Sequence, residues 1–192
     1  MMSWISATRI ATLAMLLPAL AGGAVRAELP KEAEKLIGSS APEWKNPQWL
    51  NTAPMTLQGL RGKVVLIRFW TGPHCPYCRP SFPRLNRLYR DYKSKGLVVI
   101  GFYHEKAELP LKSAQVEKLG RKWGARFPLA IDPDWATLKA YWLDRVTDAE
   151  WTSVSFLIDQ KGIIRAVHPG GAINGDDEKD LEKKIGQLLG KR

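Results

Sequence analysis

Two short apolar, β-branched runs frame the chain: Val64-Val65-Leu66-Ile67-Arg68-Phe69-Trp70, and residues 97–103. Runs of this length and composition predict strands buried on both faces. Between them Phe82, Leu85, Leu88, Tyr89 and Tyr92 recur at helical spacing, so a helix is expected over residues 78–95, ending before Gly96. Residues 111–123 predict a second helix with Val116, Leu119 and Trp123 on one side, and residues 127–131 a short strand. Asp134 is placed to cap a helix carrying Leu138, Tyr141 and Trp142. Residues 155–159 and 163–167, joined through Asp159-Gln160-Lys161-Gly162, predict a β-hairpin, and residues 176–189 a closing amphipathic helix. Strand–helix alternation followed by a hairpin and a helix implies an α/β fold, a central mixed sheet with helices on both faces.

The N-terminal pattern is different. Arg9 precedes an almost wholly small and apolar run over residues 10–25, and Val25-Arg26-Ala27 offers small side chains where a signal peptidase reads. Residues 1–27 therefore predict a bacterial export signal, cleaved after Ala27, and place the remainder in the periplasm. The apolar run is sixteen residues, short of the ~20 that span a bilayer, so membrane anchoring is expected only if the signal stays uncleaved. Residues 28–60 combine Pro30, Pro42, Pro47 and Pro54 with Trp44 and Trp49. They read as an N-terminal extension, extended or holding a short hairpin, that packs its Trp side chains on a domain formed by residues 61–192.

Composition narrows the classes further. With 192 residues, 45% apolar and 25% charged, the chain suits one globular domain and excludes a disordered or polytopic membrane protein. Its 29 Lys and Arg against 19 Asp and Glu give +10, or +8 without the two arginines of residues 1–27, which hold no acid. Such a balance fits nucleic acid in principle, but export removes that partner. A solvated basic surface remains, with weak attraction to anionic lipid or acidic proteins as the sharper reading.

Both cysteines lie in His74-Cys75-Pro76-Tyr77-Cys78, between a predicted strand and a predicted helix. At a helix N-terminus the free backbone N–H groups and the macrodipole stabilise a thiolate, the attacking form of Cys, so Cys75 is the candidate nucleophile. Cys78, one turn on and partly covered, is the candidate resolving thiol. Pro76 suits a first turn because it has no N–H to lose. Competing readings are a structural staple, half a zinc site and a c-type haem anchor. The ring closed by the pair is too small for much loop-entropy gain. A second Cys pair for zinc is missing, His104 and His168 being isolated, and Arg79 stands where haem attachment needs His. No metal or other cofactor is expected beyond the redox-active Cys75–Cys78 disulfide.

Gly62-Lys63 leading into the first strand, the Cys pair, Pro83, Gly96-Leu97-Val98-Val99-Ile100-Gly101 and Phe156-Leu157-Ile158-Asp159 resemble the exported thioredoxin-like proteins of the TlpA and ResA type. Ala41-Pro42 and residues 56–61 resemble the segment leading into that domain, so the likeness covers about residues 36–190. It implies a thioredoxin fold and thiol–disulfide exchange with protein thiols and disulfides of the cell envelope, cytochrome c biogenesis among the family's tasks, fed by a membrane thiol relay. Gly170 matches the glycine lining that family's active-site groove, and Trp70, Pro76, Tyr77, Trp151, Thr152, Ser153 and His168 are candidate groove residues beside it.

The sequence departs from the family at three places. Four residues rather than three separate Trp70 from Cys75, and His74 precedes the nucleophile, a candidate thiolate stabiliser. Arg68 stands where thioredoxins carry a buried acid; it cannot act as a base, and buried near the thiols it would favour thiolates and make the disulfide more oxidising. The alternative has Arg68 facing away, paired with Glu105 or Asp148. With the Pro-Tyr dipeptide, Arg68 predicts a potential no more reducing than roughly −200 to −230 mV. Ser153 falls where the family has a cis-Pro, and a trans peptide is expected there, since cis without Pro costs ~2.5–4 kcal/mol. Trp151 and the Phe156-Leu157 core also resemble, weakly, a glutathione-peroxidase loop. A thiol peroxidase, in which Cys75 attacks peroxide and Cys78 resolves the sulfenic acid, and a non-enzymatic metal-binding module are therefore the alternative functions.

Overall fold

The computed structural model describes residues 29–106, 110–147, 149, 151–170, 173 and 175–190. The expected export signal of residues 1–27 lies outside them. Among the described residues no helix is long and apolar enough to cross a membrane.

Six strands form one sheet in the order β1-β4-β3-β2-β5-β6. They are β1 (Gln48–Trp49), β2 (Val64–Trp70), β3 (Leu97–Tyr103), β4 (Leu129–Ile131), β5 (Val154–Ile158) and β6 (Ile164–Pro169). β2, β3 and β4 run parallel; β1, β5 and the returning β6 pair antiparallel to their neighbours. Every residue of β2 is buried, as a strand covered on both faces requires. Alternation then sorts its side chains. Val65, Ile67 and Phe69 enter one core with Ala33 of α1 (Lys31–Glu34), Leu138 of α4 (Ala136–Leu138) and Tyr141 and Trp142 of the turn that continues it (Lys139–Leu143). Val64, Leu66 and Trp70 enter the other with Phe82, Leu85 and Leu88 of α2 (Cys78–Tyr92), Val116 of α3 (Ser113–Lys122) and Leu181 and Ile185 of α5 (Gly175–Gly190). Arg68 follows the second alternation, on the face beneath α2.

The expected elements are present, with corrections at their ends. The helix after β2 gives way to a 3-10 turn (Lys93–Lys95) that stops at Gly96, whose φ of 107° suits a residue without Cβ. The carboxylate that serves the free N–H groups at the start of α4 (Ala136–Leu138, continuing as a wider π turn Lys139–Leu143) belongs to Asp132, not Asp134. The buried Asp132 carboxylate accepts the N–H groups of Thr137 and Leu138, each at 2.8 Å, whereas Asp134 is exposed at φ 52°. Among the described residues the N-terminal segment forms no hairpin of its own: β1 joins the sheet edge against β4, and Ser40 bridges to Ile163. Trp44, packed on Trp49 and Phe102, donates Nε1–H to the Met55 carbonyl at 2.7 Å and binds this segment to the first core.

Candidate active site

The site stands at the carboxyl ends of the central parallel strands, where the loop from β2 turns into α2. Cys75 precedes the helix and Cys78 is its first residue. The two form a disulfide with Cα atoms 5.4 Å apart. The Cys78 N–H, one of the donors that a helix start leaves without an intrahelical acceptor, points at the Cys75 sulfur at 3.1 Å. Cys75 is partly exposed and Cys78 fully buried. The sulfur that the sequence assigns to attack is thus reachable and faces a backbone donor, while its partner is shielded.

A cavity of about 590 Å³ opens over Cys75. His74, Pro76, Tyr77, Trp151, Thr152 and Ser153, all expected near the site, line it. Tyr77 and Trp151 are 44% and 42% exposed, an edge-to-face pair with ring centroids 6.2 Å apart, unusual exposure for large aromatics in a monomeric surface. The Trp142 indole donates to the Trp151 carbonyl at 2.7 Å and anchors this loop to the core. Gly170 is required by close approach: it sits at φ 61°, and a Cβ there would lie 2.9 Å from the Trp151 ring.

Among the described residues, the loop before β5 supplies the closest side-chain polar contact with the sulfurs. All described peptide bonds are trans, and the Ser153 hydroxyl lies 3.3 Å from the Cys78 sulfur and 3.6 Å from that of Cys75. Among the described residues the sulfurs' hydrogen-bonding neighbours are this hydroxyl and the Cys78 N–H; His74 is exposed on the cavity rim.

Arg68 is buried on the α2 side of β2. Its guanidinium donates to the Ser155 hydroxyl and the Gly170 carbonyl, both at 3.2 Å, and burial lowers its pKa to about 10. Of the carboxylates suggested as its partner, Asp148 lies outside the described residues. Glu105 accepts the Tyr103 hydroxyl at 2.5 Å and the Leu111 N–H at 2.8 Å, bracing the opposite cavity wall. Three expected groove residues do not line the cavity: Gly170, which lies behind the Trp151 ring, and Trp70 and His168. Trp70 packs among Phe82, Tyr103 and Trp123 because alternation along β2 turns it into the core. His168 sits within β6 opposite Ser155, below the strand ends.

His104, which the sequence left isolated, is fully buried just past β3. Its Nε2 is 2.9 Å from the Thr152 hydroxyl, and its ring meets Trp135 edge-on. Burial, aided by the Lys106 and Arg68 charges, lowers its pKa to about 3. The signal that could have found it is positional: it follows a parallel strand at the carboxyl edge where such sheets place their sites. No cluster of three or more His, Cys, Asp and Glu is arranged for a metal ion among the described residues.

This sheet order, with a Cys-X-X-Cys disulfide at the start of the helix following the central strand, defines a thioredoxin-like α/β fold carrying an N-terminal extension of about 30 residues. The chain belongs to the redoxin family, whose model matches residues 36–185. It is 30% identical over 146 residues to the thiol-disulfide oxidoreductase ResA of Geobacillus kaustophilus, with 76% of each chain covered. It is also 36% identical over 154 residues to the protein DipZ of Mycobacterium bovis, a match covering 78% of this chain but only 21% of that protein, so the chain spans about a fifth of DipZ. The crystal structure of a putative thiol:disulfide interchange protein DsbE from Chlorobium tepidum aligns with a TM-score of 0.65 at 30% identity, over 80% of this chain and 98% of that one. The likeness to ResA-type proteins read from the motifs is borne out.

Proposed function

We propose that the protein is a thiol–disulfide oxidoreductase acting on cysteines of envelope proteins, with Cys75 as the attacking thiol and Cys78 as the resolving one. The observation that carries this reading is the asymmetry of the pair: one sulfur open to a cavity and facing a helix-start N–H, the other buried one turn behind it. A thiolate at Cys75 is favoured by that donor, and Cys78 is placed to displace a substrate from a mixed disulfide at Cys75. The ResA and DsbE relatives support the reaction class. The signal-like residues 1–27 support a periplasmic location for residues 28–192, where electrons have to come through a membrane thiol relay, since that compartment has no reducing buffer of its own.

The test compares wild type with Cys75→Ser and Cys78→Ser on a protein disulfide and on hydrogen peroxide. Cys75→Ser is expected to lose turnover entirely, and Cys78→Ser to accumulate a stable mixed disulfide visible by non-reducing electrophoresis. Peroxide consumption far outpacing disulfide turnover would transfer the assignment to a thiol peroxidase, and loss of neither activity in the variants would end the redox reading.

A further inference from the structure

The thiol–disulfide reaction has a leaving group that must be stabilised. When a substrate thiolate attacks the Cys75 sulfur, a new S–S bond forms between substrate and Cys75. The Cys75–Cys78 bond breaks, and its electron pair departs on the Cys78 sulfur as a thiolate. A second substrate thiolate then attacks the substrate sulfur of the mixed disulfide and frees Cys75. Two substrate thiols end as a disulfide, the protein disulfide ends as a dithiol, and two electrons have moved. Negative charge therefore develops on a sulfur that is 0% exposed, where water cannot solvate it and an unpaired charge is costly.

Arg68 donates to the Ser155 hydroxyl and the Gly170 carbonyl. Among the described residues the hydroxyl of Ser153 is the side-chain group placed on Cys78, at 3.3 Å, and it also reaches Cys75 at 3.6 Å. We infer that Ser153 is a catalytic residue that donates its hydroxyl hydrogen to the departing Cys78 thiolate, and that Thr152, fixed by the buried His104, positions it.

Three observations support this. Ser153 is itself nearly buried, so the hydroxyl competes little with water for the sulfur. The preceding residue is clamped, Thr152 Oγ1 standing 2.9 Å from His104 Nε2. His104 is held neutral by its burial, and its Nδ1 has no hydrogen-bond partner among the described residues. An orphaned acceptor is cheaper than an orphaned N–H, which puts the ring proton on Nε2, donating to Thr152. Finally, Trp142 ties the Trp151 carbonyl at 2.7 Å, so the loop is held at residues 151 and 152, immediately before the hydroxyl. A donor fixed before the charge appears stabilises it without reorganisation.

This inference rests on the proposed exchange reaction, but its test is an equilibrium that exists whether or not a protein substrate is ever found. The full chain is titrated with mixtures of reduced and oxidised glutathione. Two glutathione thiols plus the protein disulfide give glutathione disulfide plus the protein dithiol. Hydrogen bonds to charged groups are the strong ones, so Ser153→Ala is expected to shift this equilibrium about tenfold toward the protein disulfide, a potential about 30 mV more negative. Reduction by dithiothreitol is expected to slow by a similar factor, since the same thiolate leaves. Ser153→Thr keeps the hydroxyl and is expected to stay within about twofold of wild type in both measurements. Thr152→Val is expected to move the potential in the same direction by less, and it gives the same reading if Ser153→Ala does not fold. A natively folded Ser153→Ala with the wild-type equilibrium constant, or in its place an unshifted Thr152→Val, overturns the inference while leaving the exchange reaction intact. Failure of the Cys75 and Cys78 variants described above would overturn the exchange reaction alone.

Discussion

At the scale of single residues, the site places an acid-sensitive group beside its reactive atoms. His104 is neutral in the native state, its pKa lowered to about 3 chiefly by burial; in the unfolded chain a histidine titrates near 6.5. Between those values the unfolded chain binds a proton that the native protein does not, so stability is complete above about pH 6.5 and falls as the pH drops toward 3. The limiting slope for one group is ~1.4 kcal/mol per pH unit. Urea unfolding of the wild type is therefore expected to show a loss of about 2 kcal/mol between pH 6.5 and 5 that His104→Asn lacks. Parallel pH profiles for the two proteins would show that His104 is not the buried base described. Gly170 makes a different kind of contribution, since only the absence of a side chain lets the Trp151 ring rest against it.

At the scale of elements, two attachments hold helices around the sheet. The first is the start of α4, held by Asp132, which follows β4 and accepts two backbone N–H groups. Asp132→Ala is expected to cost about 1–3 kcal/mol in urea unfolding. Because α4 continues into the turn bearing Trp142, the substitution is also expected to loosen the Trp151 loop, seen as faster amide exchange at residues 151–153. Loss of stability without faster exchange there would separate the cap from the loop. The second attachment is between α2 and α5: Arg87 bridges Glu178 and Glu182, and Arg84 joins Glu178, at 2.8–3.0 Å. These pairs are partly exposed, and such bridges contribute little each; the apolar contact of Leu181 and Ile185 carries more of the docking. The strand positions were readable because burial on both faces leaves β3, and β2 apart from Arg68, almost wholly apolar. The capping acid of α4 was misread because Asp132 and Asp134 both precede the helix, and only the backbone turn reveals which carboxylate points back at it.

At the scale of the whole molecule, the N-terminal segment packs into the same core as one face of the sheet. Trp44 is 5% exposed, meets Trp49 edge-on and Phe102 at a tilt, and shares a core with Phe69 of the strand that leads to the site. Trp44→Ala is expected to destabilise the entire fold by about 3–5 kcal/mol in a single unfolding transition. Two separate transitions would show instead that residues 36–60 fold apart from the rest.

By itself the sequence determined the α/β alternation, the position of the Cys pair at a strand–helix junction, and the presence of an arginine within the apolar run of β2. Each is a local signal, a matter of periodicity, spacing or an out-of-place charge within a few residues. Only the tertiary structure decided that Ser153 rather than His74 meets the sulfurs, that Trp70 turns inward, and that His104 reaches Thr152 across 48 positions of chain. Those outcomes depend on how neighbouring strands align in register and which side of the sheet each residue faces. That geometry is set by packing between distant segments and leaves no trace in the order of residues along any one of them.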